Sequence, residues 1–292
     1  MGGVLTLLAN IDEKTFRGAE ATLNYAESAT EGPPLLLLHG SSFRWQTFSS
    51  LIPALCQRWH LYALDFRGHG KSSHGFATYR YQHLVDDVVE FVAECIGKPT
   101  VIYGYSLGGA VGFAAAARLG ALAQRMIIAD NFLYHDSMLE IQAQPLLQSM
   151  FRGVQQIAGQ QTPDATLPLL NEIKLPVNGD EITVGDLFAG NPGFLEMWAE
   201  CVSQLDPKVL EIFFTPLTRE EFNGDRMLRE ISCPIVILQA NPALGGIMPD
   251  RDVERVLSVR PEAAVHRFHL GHMMHMENPE PIISVVQTLR DL

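Results

Sequence analysis

The sequence predicts an α/β protein: a doubly wound, mostly parallel sheet interrupted by a long helical insertion. Three observations predict it. Short apolar runs alternate with stretches of helical spacing, which is the pattern of consecutive βαβ units. The alternation stops at about residue 132 and resumes at about 226. Hydrophobic residues make up 47% of the 292 residues and charged residues only 18%. Average soluble domains carry roughly 25% charge, so much of this chain must be buried in a sizeable core. Residues 1–131 and 226–292 are therefore expected to form one α/β unit, with 132–225 inserted into it.

The elements follow in order. Residues 34–38, Pro-Leu-Leu-Leu-Leu, form a short buried strand ending at His39-Gly40. Helical spacing follows over 43–56, through Phe43, Phe48, Leu51, Ile52 and Leu55. Residues 60–64 are the next strand, ending at Asp65, and 80–96 form an amphipathic helix. Pro99 opens a strand over 100–103 that ends at Gly104, and an alanine-rich helix runs from about Ser106 to Leu119. Residues 125–129 are a strand ending at Asp130. The insertion is aromatic-rich and mostly helical, with Asn178-Gly179-Asp180 marking a turn of a small hairpin. A strand over 234–238, a helix around 250–259, a strand over 265–270 and a helix from Pro279 complete the chain.

Charge and composition exclude several classes. There are 21 basic and 33 acidic residues, a net charge of −12. So acidic a surface repels phosphates, which excludes nucleic acid and anionic membrane as main partners. Cys56, Cys95, Cys201 and Cys233 are far apart and form no C-x-x-C pair, so reduced thiols are expected rather than a disulfide framework or a zinc ribbon. No apolar run approaches the length of a membrane span. Met1-Gly2-Gly3-Val4-Leu5-Thr6 lacks the basic and apolar regions of a secretory signal. It fits the loose myristoylation pattern, but no polybasic patch follows as a second anchor, and it is read as coincidence. A cytoplasmic location is the expectation.

The chemistry centres on Gly104-Tyr105-Ser106-Leu107-Gly108-Gly109, which matches G-x-S-x-G between an apolar strand and an alanine-rich helix. A strand that turns sharply into a helix forces the serine into strained backbone angles. Small residues at Gly104 and Gly108 avoid clashes at such a turn. The serine oxygen then projects above the sheet at the positive end of a helix.

Four landmarks occur in order: His39-Gly40, Asp65-Phe66-Arg67-Gly68-His69-Gly70-Lys71-Ser72, the serine elbow, and Gly271-His272. In these the chain resembles the α/β-hydrolase family over nearly its whole length. The resemblance implies an eight-stranded, mostly parallel sheet with a helical cap after the sixth strand, where the insertion at 132–225 lies. It also implies that Ser106 is a nucleophile for acyl transfer. Family members that act on haloalkanes and epoxides carry aspartate at that position.

A serine hydroxyl needs a base. The resemblance places it at His272, just past the last strand. His266, His269, His272 and His275 recur every three residues, but strand side chains alternate in direction, so the four do not converge and no metal is expected. The third member departs from the family pattern. An aspartate usually follows the seventh strand in a G-x-x-D stretch, and Ala243 stands at that position here. Three acids could replace it. Asp130 ends the sixth strand, beside the strand that carries Ser106, and some family members use an acid there. Asp250 and Asp252 follow the seventh strand after a Gly-Gly loop, but both also suit the start of a helix. Asp130 is the expected acid and Asp250 the alternative.

An oxyanion hole takes two backbone N–H donors. Leu107 supplies one, and by resemblance Ser41 supplies the other, with Ser42 the near alternative. The loop from Asp65 to Ser72 is structural in the family. Its Gly70-Lys71-Ser72 resembles the end of a phosphate-binding loop, but Asp65 stands where the first glycine is needed. Asp86-Asp87 is read as a solvated helix face.

The expected function is a serine hydrolase cleaving a carboxylic ester, lactone or related acyl bond through an acyl-enzyme, without cofactor or metal. The substrate is a small, mainly apolar acyl compound, and a homodimer stays open. The alternatives are a C–C bond hydrolase, a cofactor-free lyase or oxygenase, and a low-turnover ligand-binding protein on the same fold. The last is motivated by Ala243.

Overall fold

Alternation along the apolar runs sets the two faces of the sheet. In the strand Pro34–Leu38, Leu35 and Leu37 join one buried apolar cluster, and Leu36 and Leu38 join the other. The strand Thr100–Tyr105 divides the same way, Tyr103 and Tyr105 to the first cluster and Ile102 to the second. Strands buried on both sides cannot stop at a sheet with one wet face; they need helices on both.

The computed structural model describes residues 11–160 and 162–289. In chain order the strands are β1 (Ile11–Arg17), β2 (Thr22–Ser28), β3 (Pro34–Leu38), β4 (His60–Leu64), β5 (Thr100–Tyr105), β6 (Ala123–Ala129), β7 (Lys174–Val177), β8 (Asp180–Thr183), β9 (Ile235–Gln239) and β10 (Ala264–Arg267). Eight of them form one sheet in the order β1-β2-β4-β3-β5-β6-β9-β10. Only the pairings of β2, with β1 and with β4, are antiparallel. The pairs from β4 to β10 are parallel. The helices Tyr81–Glu90, Leu107–Leu119, Gly224–Glu230 and Asp250–Val259 cover the face of Leu36. No helix among the described residues is long and apolar enough to cross a membrane.

The segment between β6 and β9 carries helices at His135–Gln142, Pro145–Ile157, Pro163–Asn171 and Pro192–Ser203, with β7 and β8 as a separate hairpin. Asn178 and Gly179 have φ of +53° and +90° at its turn, angles these two residues tolerate best. The insertion thus follows the sixth strand of the large sheet.

Several expectations change. Residues 43–56 are not one helix but a short turn, Trp45–Phe48, and a short helix, Ile52–Leu55. Pro53 has no N–H for a helix running through from Phe48, so the helix restarts around it. The strand expected over 265–270 ends at Arg267. Its one neighbour, β9, ends at Gln239, and beyond these ends the two chains are joined by Phe268 N–H to Gln239 O and Asn241 N–H to Leu270 O. Asp87 is not solvated: it is buried and takes two 2.6 Å hydrogen bonds from the Arg67 guanidinium. This pair ties the Asp65–Ser72 loop to the helix Tyr81–Glu90. The Met1–Thr6 pattern lies outside the described residues.

Candidate active site

The turn from β5 into the helix Leu107–Leu119 is as tight as backbone sterics allow. Ser106 has φ +52° and ψ −122°. A Cβ on Gly104 would lie 2.2 Å from Gly108 O, and one on Gly108 would lie 2.1 Å from Leu38 O. Any side chain at either position would drive into backbone, which is the physical content of the G-x-S-x-G pattern. The Ser106 N–H is spent on Ala129 O at 3.2 Å. The Leu107 N–H, at the first position of the helix, has no intrahelical acceptor.

His272 sits past β10, after Gly271, whose N–H donates to Glu277 Oε2 at 2.9 Å. Its Nε2 lies 3.1 Å from Ser106 Oγ, and its Nδ1 lies 2.7 Å from Asp130 Oδ2. Asp130 ends β6, and its carboxylate is fully buried. Three backbone N–H groups support it: Ala240 and Met248 donate to Oδ1 at 3.2 and 3.3 Å, and Ile247 to Oδ2 at 2.9 Å. With every other lone pair aimed at a donor, Oδ2 must accept from His272. The histidine therefore carries its proton on Nδ1 and offers a lone pair at Nε2 to the serine.

The other acids lie elsewhere. Asp250 accepts from Gln239 Nε2 at 2.8 Å and is not brought to His272. Asp252 is buried and accepts from Leu133 N–H at 2.9 Å and Ser137 Oγ, pinning the start of the insertion to the helix Asp250–Val259. The loop holding Ala243 has a different task. It folds back with Gly246 N–H on Asn241 O at 3.0 Å, and so aims the Ile247 and Met248 N–H groups at Asp130. These donors escaped sequence reasoning. The Gly245-Gly246 pair was the one signal that this loop turns tightly.

Above the serine lies a cavity of about 410 Å³. Ser41, Ser42 and Leu107 line it beside Ser106 and His272. The insertion contributes Leu146, Met150, Phe151, Phe188, Phe194 and Trp198. Among the described residues no lysine or arginine lines it. His69 of the Asp65–Ser72 loop lines it too. Buried Asp65 accepts from Trp45 N–H at 2.7 Å, Asn24 Nδ2 at 2.8 Å and Lys71 N–H at 3.3 Å. Gly70, at φ +53°, leaves no room for a Cβ, which would lie 2.2 Å from Asp65 Oδ2.

His275 is buried behind His272, packed between Phe48 and the edge-on ring of Tyr105. Neither of its ring nitrogens has a hydrogen-bond partner among the described residues. Burial, then the neighbouring His272, push it down to about 3, against a weak pull from the Thr47 backbone. An unfolded histidine titrates near 6.5. Protons thus bind the unfolded chain first as pH falls, so the stability from keeping His275 neutral is present above about 6.5 and is lost on acidification towards 3. His275→Phe is expected to lose about 3 kcal/mol less between pH 7 and pH 4 than the parent chain. Urea unfolding of both proteins at the two pH values checks this, and parallel losses would refute it.

Comparison with known proteins agrees with the fold. The profile of the "Alpha/beta hydrolase family" matches residues 35–285. The chain is 24% identical over 275 residues to a serine hydrolase-like protein of Danio rerio, covering 88% of this chain and 81% of that one. A pimeloyl-[acyl-carrier protein] methyl ester esterase of Nitrosospira multiformis is 35% identical over 106 residues, 36% of this chain and 40% of that one. Among solved structures, E-2-(acetamidomethylene)succinate hydrolase superposes with a TM-score of 0.71 at 17% identity, covering 97% of this chain and 100% of the other. The enol-lactonase from Burkholderia xenovorans LB400 superposes with a TM-score of 0.67 at 16% identity, over 94% and 98% of the two chains. The profile spans most of a chain whose eight-stranded sheet is parallel from β4 to β10, and the chain belongs to the α/β-hydrolase family.

Proposed function

We propose that the protein is a serine hydrolase of neutral, mainly apolar acyl compounds: carboxylic esters, lactones or thioesters. One observation carries the reading, the hydrogen-bonded line from Ser106 Oγ through His272 to buried Asp130. His272 Nε2 takes the Ser106 proton as Oγ bonds to the acyl carbon. The carbonyl electrons move to oxygen, where the Leu107 and Ser41 N–H groups receive the charge. Collapse expels the alkoxide, which takes the proton from Nε2. Water then repeats the sequence on the acyl-enzyme, with His272 again the base. Asp130 keeps the imidazole in the right tautomer and stabilises the imidazolium throughout.

The segment 132–225 acts as the cap over this site, and residues 1–131 and 226–292 as the core that bears it. The lining supports a neutral substrate. A dicarboxylate such as the one in the name of the succinate hydrolase would find no cation in this cavity among the described residues. Burying a carboxylate unpaired is costly. The ligand-binding alternative rested on Ala243, and the contact of Asp130 with His272 removes its motive.

Labelling with a fluorophosphonate tests the reading. The parent chain is expected to gain one covalent adduct by intact mass, and Ser106→Ala none. A folded parent chain that gains no adduct would overturn it.

A further inference from the structure

We infer that Trp198, on the insertion helix Pro192–Ser203, is a positioning residue for the oxyanion hole. This rests on the hydrolase reading above. The Trp198 indole N–H donates to Ser42 Oγ at 3.0 Å, with both side chains buried. Ser42 has φ +60°, a left-handed angle that a serine holds only when its surroundings impose it. It directly follows Ser41, whose N–H is the proposed second donor to the oxyanion.

The same insertion helix grips the next two residues of the loop. The Phe43 ring packs against Phe194 and Trp198, each at 6.1 Å between centroids. Arg44 is buried, ion-paired with Glu200, and donates to Gln204 Oε1 at 2.8 Å. Three consecutive residues of the oxyanion loop are thus held by one stretch of the insertion. From the core side the loop is held at its two ends. Phe43 N–H reaches Gly40 O at 3.3 Å, and Trp45 N–H reaches Asp65 Oδ1 at 2.7 Å. Between these points only the indole N–H fixes the Ser42 side chain among the described residues. Its loss leaves the loop anchored while freeing the peptide that presents the donor.

A donor displaced by about 1 Å weakens charge stabilisation in the transition state more than it weakens substrate binding. Trp198→Phe removes the N–H and keeps an aromatic ring. Ser42→Ala removes the acceptor and guards against a fold defect in the first variant. Both are assayed on a 4-nitrophenyl ester, and by inhibition with a trifluoromethyl ketone, which adds to the serine as an oxyanion, and with the plain methyl ketone.

Each variant is expected to lose about 10- to 100-fold in kcat with KM within about twofold of the parent. Inhibition by the trifluoromethyl ketone weakens by the same factor, and inhibition by the methyl ketone is unchanged. The double variant is no worse than either single one, because both break one contact. A variant with full kcat, a change in KM alone, or additive losses would overturn the assignment. The parent chain's fluorophosphonate adduct separates the two readings. With the adduct present, such results sink only the role of Trp198. With no adduct, the hydrolase reading falls and this one with it.

Discussion

Asp130→Asn is expected to lower kcat by about 10⁴-fold, the scale of a triad whose histidine is held in the wrong tautomer. Asp130 meets three backbone N–H groups and the His272 Nδ1–H. Asparagine has one acceptor oxygen. If that oxygen keeps Ala240 and Met248, the amide nitrogen faces Ile247 and donates to His272 Nδ1. The imidazole proton then moves to Nε2 and points at Ser106, which leaves no base. If the amide is flipped, two N–H groups are left facing a donor. Stability therefore falls by about 1–3 kcal/mol as well, the cost of buried donors without acceptors. Steady-state kinetics and denaturant unfolding of the same preparation check both parts. Near-full activity would remove Asp130 from the mechanism.

Ser106→Ala is expected to have the larger kinetic effect, about 10⁶-fold in kcat. His272 and Asp130 stay in place, and what remains is the contribution of the oxyanion hole and of substrate binding. Alanine takes the same φ of +52° at the same cost as serine. The lost hydrogen bond involves a histidine whose side chain is 24% exposed, so stability changes by no more than about 1 kcal/mol. Turnover within about 100-fold of the parent chain would show that another group performs the attack.

How much of this the sequence carried depends on the element. β3, β5 and β6 are apolar on both faces and were readable as strands from their residues alone. β1 was not: Ile11-Asp-Glu-Lys-Thr-Phe-Arg17 is an exposed edge strand with no apolar run, and its charges keep that edge from pairing with other chains. The helix pattern over 43–56 failed because spacing says nothing about the missing N–H of Pro53. At the site, Ser106 and His272 stand beside glycines that mark them. The support of Asp130 is different in kind. Backbone N–H groups have no residue type, so no sequence pattern announces that Ala240, Ile247 and Met248 converge on one carboxylate. Trp198 meets Ser42 across 156 positions of sequence, a distance that periodicity cannot bridge.

Because the acid stands at the end of β6, its spacing from the nucleophile is set by the sheet. Tyr105 and Ala129 are register partners on adjacent strands, and Ser106 and Asp130 are the next residue of each. The pair is therefore as rigid as an interior ladder of the sheet. An acid borne on the loop after β9 would move with that loop. Here residues 242–244 can change in composition while the turn from Asn241 O to Gly246 N–H, and with it the Ile247 and Met248 N–H groups, is kept. That rim of the pocket is open to redesign without retuning the base.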